Sequence, residues 1–311
     1  MDSVLPACSR PPFLQPGDLV AIAAPARKVT PEDLASAVNL FQSWGLTVRL
    51  PESLFDADCQ FAGPDDVRTR LFQQLLDDDQ VRAIVCAKGG YGSVRIIDRI
   101  DFTHFTRCPK WVVGYSDVTV FHSHIHRHCG IQTIHATMPL NIPADAAQLS
   151  YPATDTLFNA LFGLPMSYRF AGHNLNRQGV GEGPLVGGNL SILYSLCGSS
   201  SAIDTRGKVL FIEDLDEYLY HIDRMIQNLK RNGVFAGLVG LVVGQMSDMH
   251  DNAVPFGHTP EEIILEAVAE YGYPVCFDFP AGHIGSDNCA LPMGGIAHLE
   301  VGSEVNLTML Q

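Results

Sequence analysis

Four short stretches of this chain place groups able to do covalent or acid–base chemistry where one element gives way to another. The first is Gly114-Tyr115-Ser116-Asp117, a hydroxyl between the apolar run Trp111-Val112-Val113 and a helical stretch. A sharp strand-to-helix turn lifts a serine above a sheet and aims the first helix amides at a developing oxyanion. The fifth position is Val118, a departure from the G-x-S-x-G elbow, and Ser116 also reads as a helix N-cap. The second stretch is Lys88-Gly89-Gly90-Tyr91-Gly92-Ser93, directly after the strand-like Ala83 to Ala87. Glycine there lets backbone approach a ligand closely. No lysine and hydroxyl follow the last glycine, and the G-x-G-x-x-G spacing is not met, so a phosphate cradle is not supported. A tight turn and an oxyanion site pairing the Gly90 and Asp117 N–H groups both stay open.

The third stretch, Ile212-Glu213-Asp214-Leu215-Asp216-Glu217, ends an apolar run in four acids. One carboxylate at a strand end can orient an imidazole. Asp214, Asp216 and Glu217 are expected to be a solvated acidic loop, because the spaced Asn, Gly and carbonyl ligands of a hard-cation site are missing. The fourth is Gly282-His283-Ile284-Gly285, a loop histidine whose ordinary pKa near ~6.5 lets it take and return a proton at neutral pH.

More conspicuous are His122, His124, His126 and His128, alternating within one helical stretch. Helical geometry puts only His122 with His126, and His124 with His128, on common faces. Four ligands cannot converge from such a run, and no HExxH or thiolate partner accompanies it. No metal is expected.

The elements that must position these groups alternate. Leu19 to Ala23 predicts a strand, Thr30-Pro31-Glu32-Asp33 an N-cap with Pro at the first helical position, and Leu34, Val38 and Phe41 the apolar face of a helix closed by Gly45. Leu46 to Leu50, Ala83 to Ala87 and Trp111 to Tyr115 read as further strands, with helices at Val67 to Leu76, Val94 to Ile100 and Asp117 to His128. Such alternation predicts parallel β-α-β units covered on both faces. Residues 141–183 read as a linker region with a helix at Asp155 to Phe162. Beyond it, strands at Lys208 to Ile212, Leu238 to Val243 and Pro274 to Phe277, helices at Tyr220 to Asn232 and Glu261 to Tyr271, and closing strands within Ala297 to Leu310 predict a second α/β domain. The expected division is 1–140, 141–183 and 184–311.

Composition narrows the classes. With 311 residues, 46% of them hydrophobic, the chain is long enough for two cores. A formal net charge of -14 repels phosphate backbones and anionic surfaces, so nucleic acid is not an expected partner. Met1 to Gln15 lacks a basic start and an apolar core, and Leu5-Pro6-Ala7-Cys8 lacks the apolar run that precedes a lipoprotein box. No stretch offers the ~20 apolar residues of a membrane helix. Eight scattered cysteines with no CxxC pair fit reduced thiols in the cytosol.

Taken in order, Lys88-Gly89-Gly90-Tyr91-Gly92, Gly114-Tyr115-Ser116-Asp117, Gly187-Gly188-Asn189-Leu190, Ile212-Glu213-Asp214 and Gly282-His283 resemble the successive blocks of the LD-carboxypeptidase family, which includes the microcin C self-immunity peptidases. Gly17 to Pro25 is similar to its first strand. The resemblance implies a flavodoxin-like or Rossmann-like N-terminal domain, a β-rich C-terminal α/β domain and an active site between them. It also implies roles: Ser116 the nucleophile, His283 the base and then acid, Glu213 the carboxylate that fixes the imidazole, Gly90 and Asp117 the oxyanion amides, and Asn189 a wall or substrate contact. The implied substrate is a murein tetrapeptide, cleaved before its terminal D-alanine in cytosolic cell-wall recycling. No cofactor and a homodimer are also implied. Arg95 and the acids near Glu217 are open candidates for pairing with substrate charges. Two alternatives stand beside this: the same triad acting on aminoacyl-adenylates, for which neither Trp44 nor Trp111 offers an evident stacking platform, and a non-catalytic small-ligand module.

Overall fold

The computed structural model describes residues 8–310; the Leu5-Pro6-Ala7 stretch considered above lies outside them. The first half runs β1 (Leu19–Ala23), α1 (Pro31–Ser43), β2 (Thr47–Arg49), α2 (Asp65–Asp77), β3 (Val81–Cys86), α3 (Thr103–Arg107), β4 (Trp111–Gly114), α4 (Thr119–Cys129) and β5 (Thr133–His135). Thr30 caps α1 in a full capping box with Asp33, as the Thr-Pro-Glu-Asp sequence predicts. The second half adds α5 (Pro152–Phe162), β6 (Met166–Ala171), β7 (Gly179–Asn189), α6 (Leu190–Leu196), β8 (Val209–Leu215), α7 (Leu219–Arg231), β9 (Gly240–Ser247), α8 (Pro260–Ala267), β10 (Val275–Cys276), β11 (Leu291–Met293), β12 (Ile296–Val301) and β13 (Glu304–Leu310). Helix α7 buries Ile222, Met225, Ile226 and Leu229, the i, i+3, i+4, i+7 stripe of an amphipathic helix.

Two mixed α/β sheets result. The first has the order β11-β5-β4-β3-β1-β2, all parallel except β11. The second has the order β10-β9-β8-β7-β12-β13-β6. Strand β7 serves two partners: its first half pairs antiparallel with β12 and its second half parallel with β8. One apolar cluster runs through both sheets, from Val20, Val85 and Trp111 to Phe211, Phe279 and Leu307, while separate clusters fill the outer face of each. Burying one such Leu or Phe contributes about 1.5–3 kcal/mol, so this shared layer holds the two sheets in fixed register.

The fold departs from expectation in several places. Residues 141–183, expected as a linker region with one helix, hold that helix as α5 and add the edge strand β6 and the start of β7. Residues expected as a helix over Val94 to Ile100 form two 3-10 turns, Ser93–Arg95 and Ile97–Arg99. Strand β11 comes from late in the chain yet completes the first sheet beside β5. Among the described residues, no helix is long and apolar enough to cross a membrane.

Candidate active site

A cleft of about 450 Å³ opens where the carboxyl ends of parallel strands from both sheets meet. Open α/β sheets bind ligands at that edge because loops there are free to vary above a rigid sheet. Arg27 follows β1; Lys88, Gly89 and Gly90 follow β3; Tyr115 and Ser116 follow β4; Asn189 closes β7; Asp214 to Glu217 end β8; and His283 follows β10. A second, more apolar cavity of about 250 Å³ is lined by Trp111, Met166 and Met309, with Arg10 as its one charged group.

Ser116 carries a positive φ of 61°, a left-handed conformation that costs a non-glycine residue about 1–2 kcal/mol. The strain is held from two sides. Asp117, next in sequence, is buried, and its Oδ2 accepts from Ser93 N at 2.9 Å. Burial raises the Asp117 pKa, an effect opposed by the Ser93 and Gly92 hydrogen bonds and by the Arg68 charge. Arg68, itself buried, donates to the carbonyls of Gly63 (3.2 Å), Gly92 (3.1 Å) and Pro25, and pairs with Asp65. The glycine loop and the serine turn are therefore tied together by charge. Gly89 packs so closely on Ser116 that a Cβ there would lie 3.2 Å from its Oγ. Neither the Gly90 nor the Asp117 N–H donates to a protein acceptor among the described residues.

On the facing wall, His283 Nδ1 is 2.8 Å from Glu213 Oε2, a contact across 70 residues of sequence. The Glu213 side chain is fully buried and that of His283 is 14% exposed. Burial alone lowers the His283 pKa, but the Glu213 hydrogen bond and the charges of Glu213 and Asp214 outweigh it, leaving it above the ordinary value. Gly282 permits this contact: its φ is 125°, a Cβ would sit 3.0 Å from Glu213 Oε2, and its N–H donates to Asn288 Oδ1 at 2.9 Å. With Nδ1 engaged, Nε2 is the ring nitrogen left for the cleft, and the His283 ring stands 4.8 Å from that of Tyr115. No hydrogen bond joins His283 to Ser116 here; apo sites often close this contact only around a substrate. The three groups can together generate an alkoxide-like nucleophile, shuttle one proton and stabilise the imidazolium.

Asn189 lines the cleft, but its side chain is used inside the protein. It caps α6 through Ile192 N (3.2 Å) and donates to Asp214 Oδ1 at 2.9 Å, while its N–H reaches Thr119 Oγ1 at 3.0 Å. The glycines before it are explained by the same close approach: a Cβ on Gly188 would fall 2.5 Å from Thr119 Oγ1, and one on Gly187 1.8 Å from the Phe211 carbonyl oxygen. Asp214 overturns the solvated reading. It is buried, accepts from Ser191 N and Leu215 N at 2.9 Å each, and has its pKa pushed up to about 7 by burial and next by the charge of Glu213. Strand β8 is covered on both faces of its sheet, its burial unbroken from Val209 to Asp214, so the two adjacent acids are both enclosed. Asp216 and Glu217 do reach the cleft, each against a histidine, His250 and His221 respectively, at 2.5 Å. Arg95 does not: it is bidentate to Asp65 at 2.9 and 2.8 Å.

The histidines of α4 are spent on packing. His122 bridges Thr133 Oγ1 and the Gly114 carbonyl at 2.8 Å each, His124 meets Ser201 Oγ at 2.8 Å, His126 meets Cys8 Sγ at 3.1 Å, and His128 the Ser200 carbonyl at 2.9 Å. Sequence reasoning missed Arg27, Arg68 and Asn288. Arg27 had one available signal, its place just beyond the first strand of a parallel sheet; the other two had none.

Comparison with known proteins adds to this geometry. Residues 20–136 match the model of the LD-carboxypeptidase N-terminal domain, and residues 182–299 that of the LD-carboxypeptidase C-terminal domain. A probable murein peptide carboxypeptidase of Bacillus subtilis (strain 168) is 37% identical over 93% of this chain and 90% of its own length. The crystal structure of muramoyltetrapeptide carboxypeptidase from Oxalobacter formigenes superposes with a TM-score of 0.84 at 27% identity, covering 94% of this chain and 99% of that one. The microcin C7 self immunity protein, in a complex with aspartyl sulfamoyl adenosine, shares the fold with a TM-score of 0.82 at 20% identity over 98% and 99% of the two chains.

Proposed function

The chain belongs to the LD-carboxypeptidase family, and on that premise we propose that it hydrolyses the L,D amide bond before the terminal D-alanine of murein tetrapeptide, with Ser116, His283 and Glu213 as its triad. His283 Nε2 takes the Ser116 proton as Oγ attacks the carbonyl carbon. The resulting oxyanion accepts from the N–H groups of Gly90 and Asp117, whose lack of protein acceptors supports that role. Protonated His283 then gives its proton to the departing amine, D-alanine leaves, and the peptide stays as an ester on Ser116. A water deprotonated by the same imidazole attacks the ester, releasing the shortened peptide and restoring the serine. Glu213 holds the ring through Nδ1 and steadies its positive charge in both halves. Asn189 and Asp214, locked to each other, form the wall beside the acyl group.

The observation that carries this reading is the 2.8 Å contact between a fully buried Glu213 and a cleft histidine, facing a serine held in a left-handed turn. Aminoacyl-adenylates are the second reading, supported by the likeness to the immunity protein's fold. A nucleobase calls for an aromatic stacking face. Among the described residues, Tyr115 is the one Phe, Tyr or Trp side chain lining the cleft and is itself buried, while Trp44 packs against Phe41 and Phe158 and Trp111 against Phe13. Peptide is favoured accordingly. The test is D-alanine release from murein tetrapeptide by the protein and by Ser116→Ala, with sulfamoyl-type aminoacyl-adenylate mimics alongside. Release by the unaltered protein alone is expected; cleavage of the mimics only would move the activity to the second reading.

A further inference from the structure

Several arginines and lysines of this acidic chain are engaged in ion pairs. Arg49 pairs with Asp78, Arg68 and Arg95 with Asp65, Arg169 with Glu304, Lys208 with Asp204 and Lys230 with Glu270. Arg27 and Lys88 are the two cations placed in the cleft. Both line the cleft beside Ser116, and neither side chain makes an ion pair or hydrogen bond among the described residues. Three acids line the same cleft, yet each has another partner: Asp214 the Ser191 and Leu215 amides, Asp216 His250, and Glu217 His221. The cleft is thus polar in the electrostatic sense, with free cations on the wall of the first sheet and acids on the wall of the second.

Arg27 is seated by a missing side chain. A Cβ on Gly90 would fall 2.5 Å from Arg27 Nε and 2.6 Å from its Cδ, so the guanidinium stem lies flat on the loop whose amide faces the nucleophile. Lys88 precedes Gly89, which touches Ser116. In an exopeptidase substrate, the terminal carboxylate lies one residue past the scissile carbonyl, about 3.8 Å in Cα steps. A receptor for it must therefore sit within one residue's reach of the oxyanion loop, where these two cations are. Guanidinium is suited to the task, because its planar fork takes both carboxylate oxygens.

Building on the proposed hydrolysis at Ser116, we propose that Arg27, seated on Gly90 and assisted by Lys88, binds the free carboxylate of the residue being released and so makes the enzyme a carboxypeptidase rather than an endopeptidase. Burying a carboxylate against an unpaired cation, and leaving that cation bare when the ligand is an amide, is the asymmetry from which the selectivity comes.

The experiment compares murein tetrapeptide with its C-terminal carboxamide. kcat/KM is measured for both with the unaltered protein, Arg27→Ala, Arg27→Lys and Lys88→Ala, and calorimetric binding of both with Ser116→Ala and with Ser116→Ala/Arg27→Ala. The expected result is a preference for the free acid that Arg27→Ala lowers roughly tenfold to hundredfold. The carboxamide should change little, and Arg27→Lys should fall between. An acid-over-amide preference that survives both Arg27→Ala and Lys88→Ala overturns the proposal. Should the unaltered protein hydrolyse neither peptide, the hydrolysis reading fails by itself. Binding then decides the carboxylate site: a preference present in Ser116→Ala and lost in the double variant supports it, and equal binding of acid and amide overturns it.

Discussion

Helix α4 carries four histidines and the loop after β10 carries one that faces the cleft, and the two regions do opposite things with the same side chain. In α4 the rings are taken up by packing: His122 is buried between Thr133 and the Gly114 carbonyl, and its pKa is lowered to about 4, chiefly by burial. His124 and His126 are also lowered to about 4, again chiefly by burial, with His128 and Lys208 respectively adding repulsion. His283 is partly buried too, yet ends above its ordinary value because the Glu213 hydrogen bond and charge outweigh burial. A neighbouring buried carboxylate, and not the number of histidines, decides which ring can accept a proton at neutral pH.

The sharpest way to break the comparison is to remove that carboxylate. Glu213→Gln should lower kcat by about 10⁴-fold, since the imidazole loses the partner that fixes its tautomer and stabilises its charge. A near-normal kcat in steady-state hydrolysis would take Glu213 out of the mechanism. The next effect is in pH. His283 must be neutral to act as base, so kcat/KM should fall as pH drops through an acid limb lying above ~6.5, and Glu213→Gln should move that limb downward.

Stability runs with opposite signs in the two regions. The raised His283 pKa contributes stability that is present below its unfolded value and lost as pH rises through the folded one. The lowered His122 pKa contributes stability present above about 6.5 and lost as pH falls toward about 4. Imidazole NMR titration should show His283 still protonated where His122 is neutral; the reverse order would overturn the contrast. His122→Phe, which strands Thr133 Oγ1, should cost about 1–3 kcal/mol in denaturant unfolding with kcat little changed. Smallest of all, His128→Ala on the exposed end of α4 should stay within about 0.5 kcal/mol and leave kcat alone.

Much of the candidate site is legible in the sequence because it lies at element ends. Ser116 stands after an apolar strand, Glu213 within the end of another and His283 in a glycine-flanked loop, and each block kept its order along the chain. Asp214 reads as solvated from its place in a run of four acids without hard-cation spacing, but β8 stays covered on both faces as far as Asp214, where Asn189 and the Ser191 and Leu215 amides satisfy its carboxylate. Strand β6 escaped notice as an edge strand with only partial alternation, and β11 because it is three residues long and contains Pro292. Gly187 and Gly188 were recognised as part of a pattern, but the reason for them, the close passage of Phe211 and Thr119, exists only in the folded chain.

Covalent trapping tests the central claim most directly. The protein is treated with a serine-directed phosphonate and the adduct is mapped by peptide mass. The account predicts a single adduct on Ser116, absent in Ser116→Ala and formed far more slowly in Glu213→Gln; an adduct on any other residue, or undiminished hydrolysis by Ser116→Ala, would contradict it.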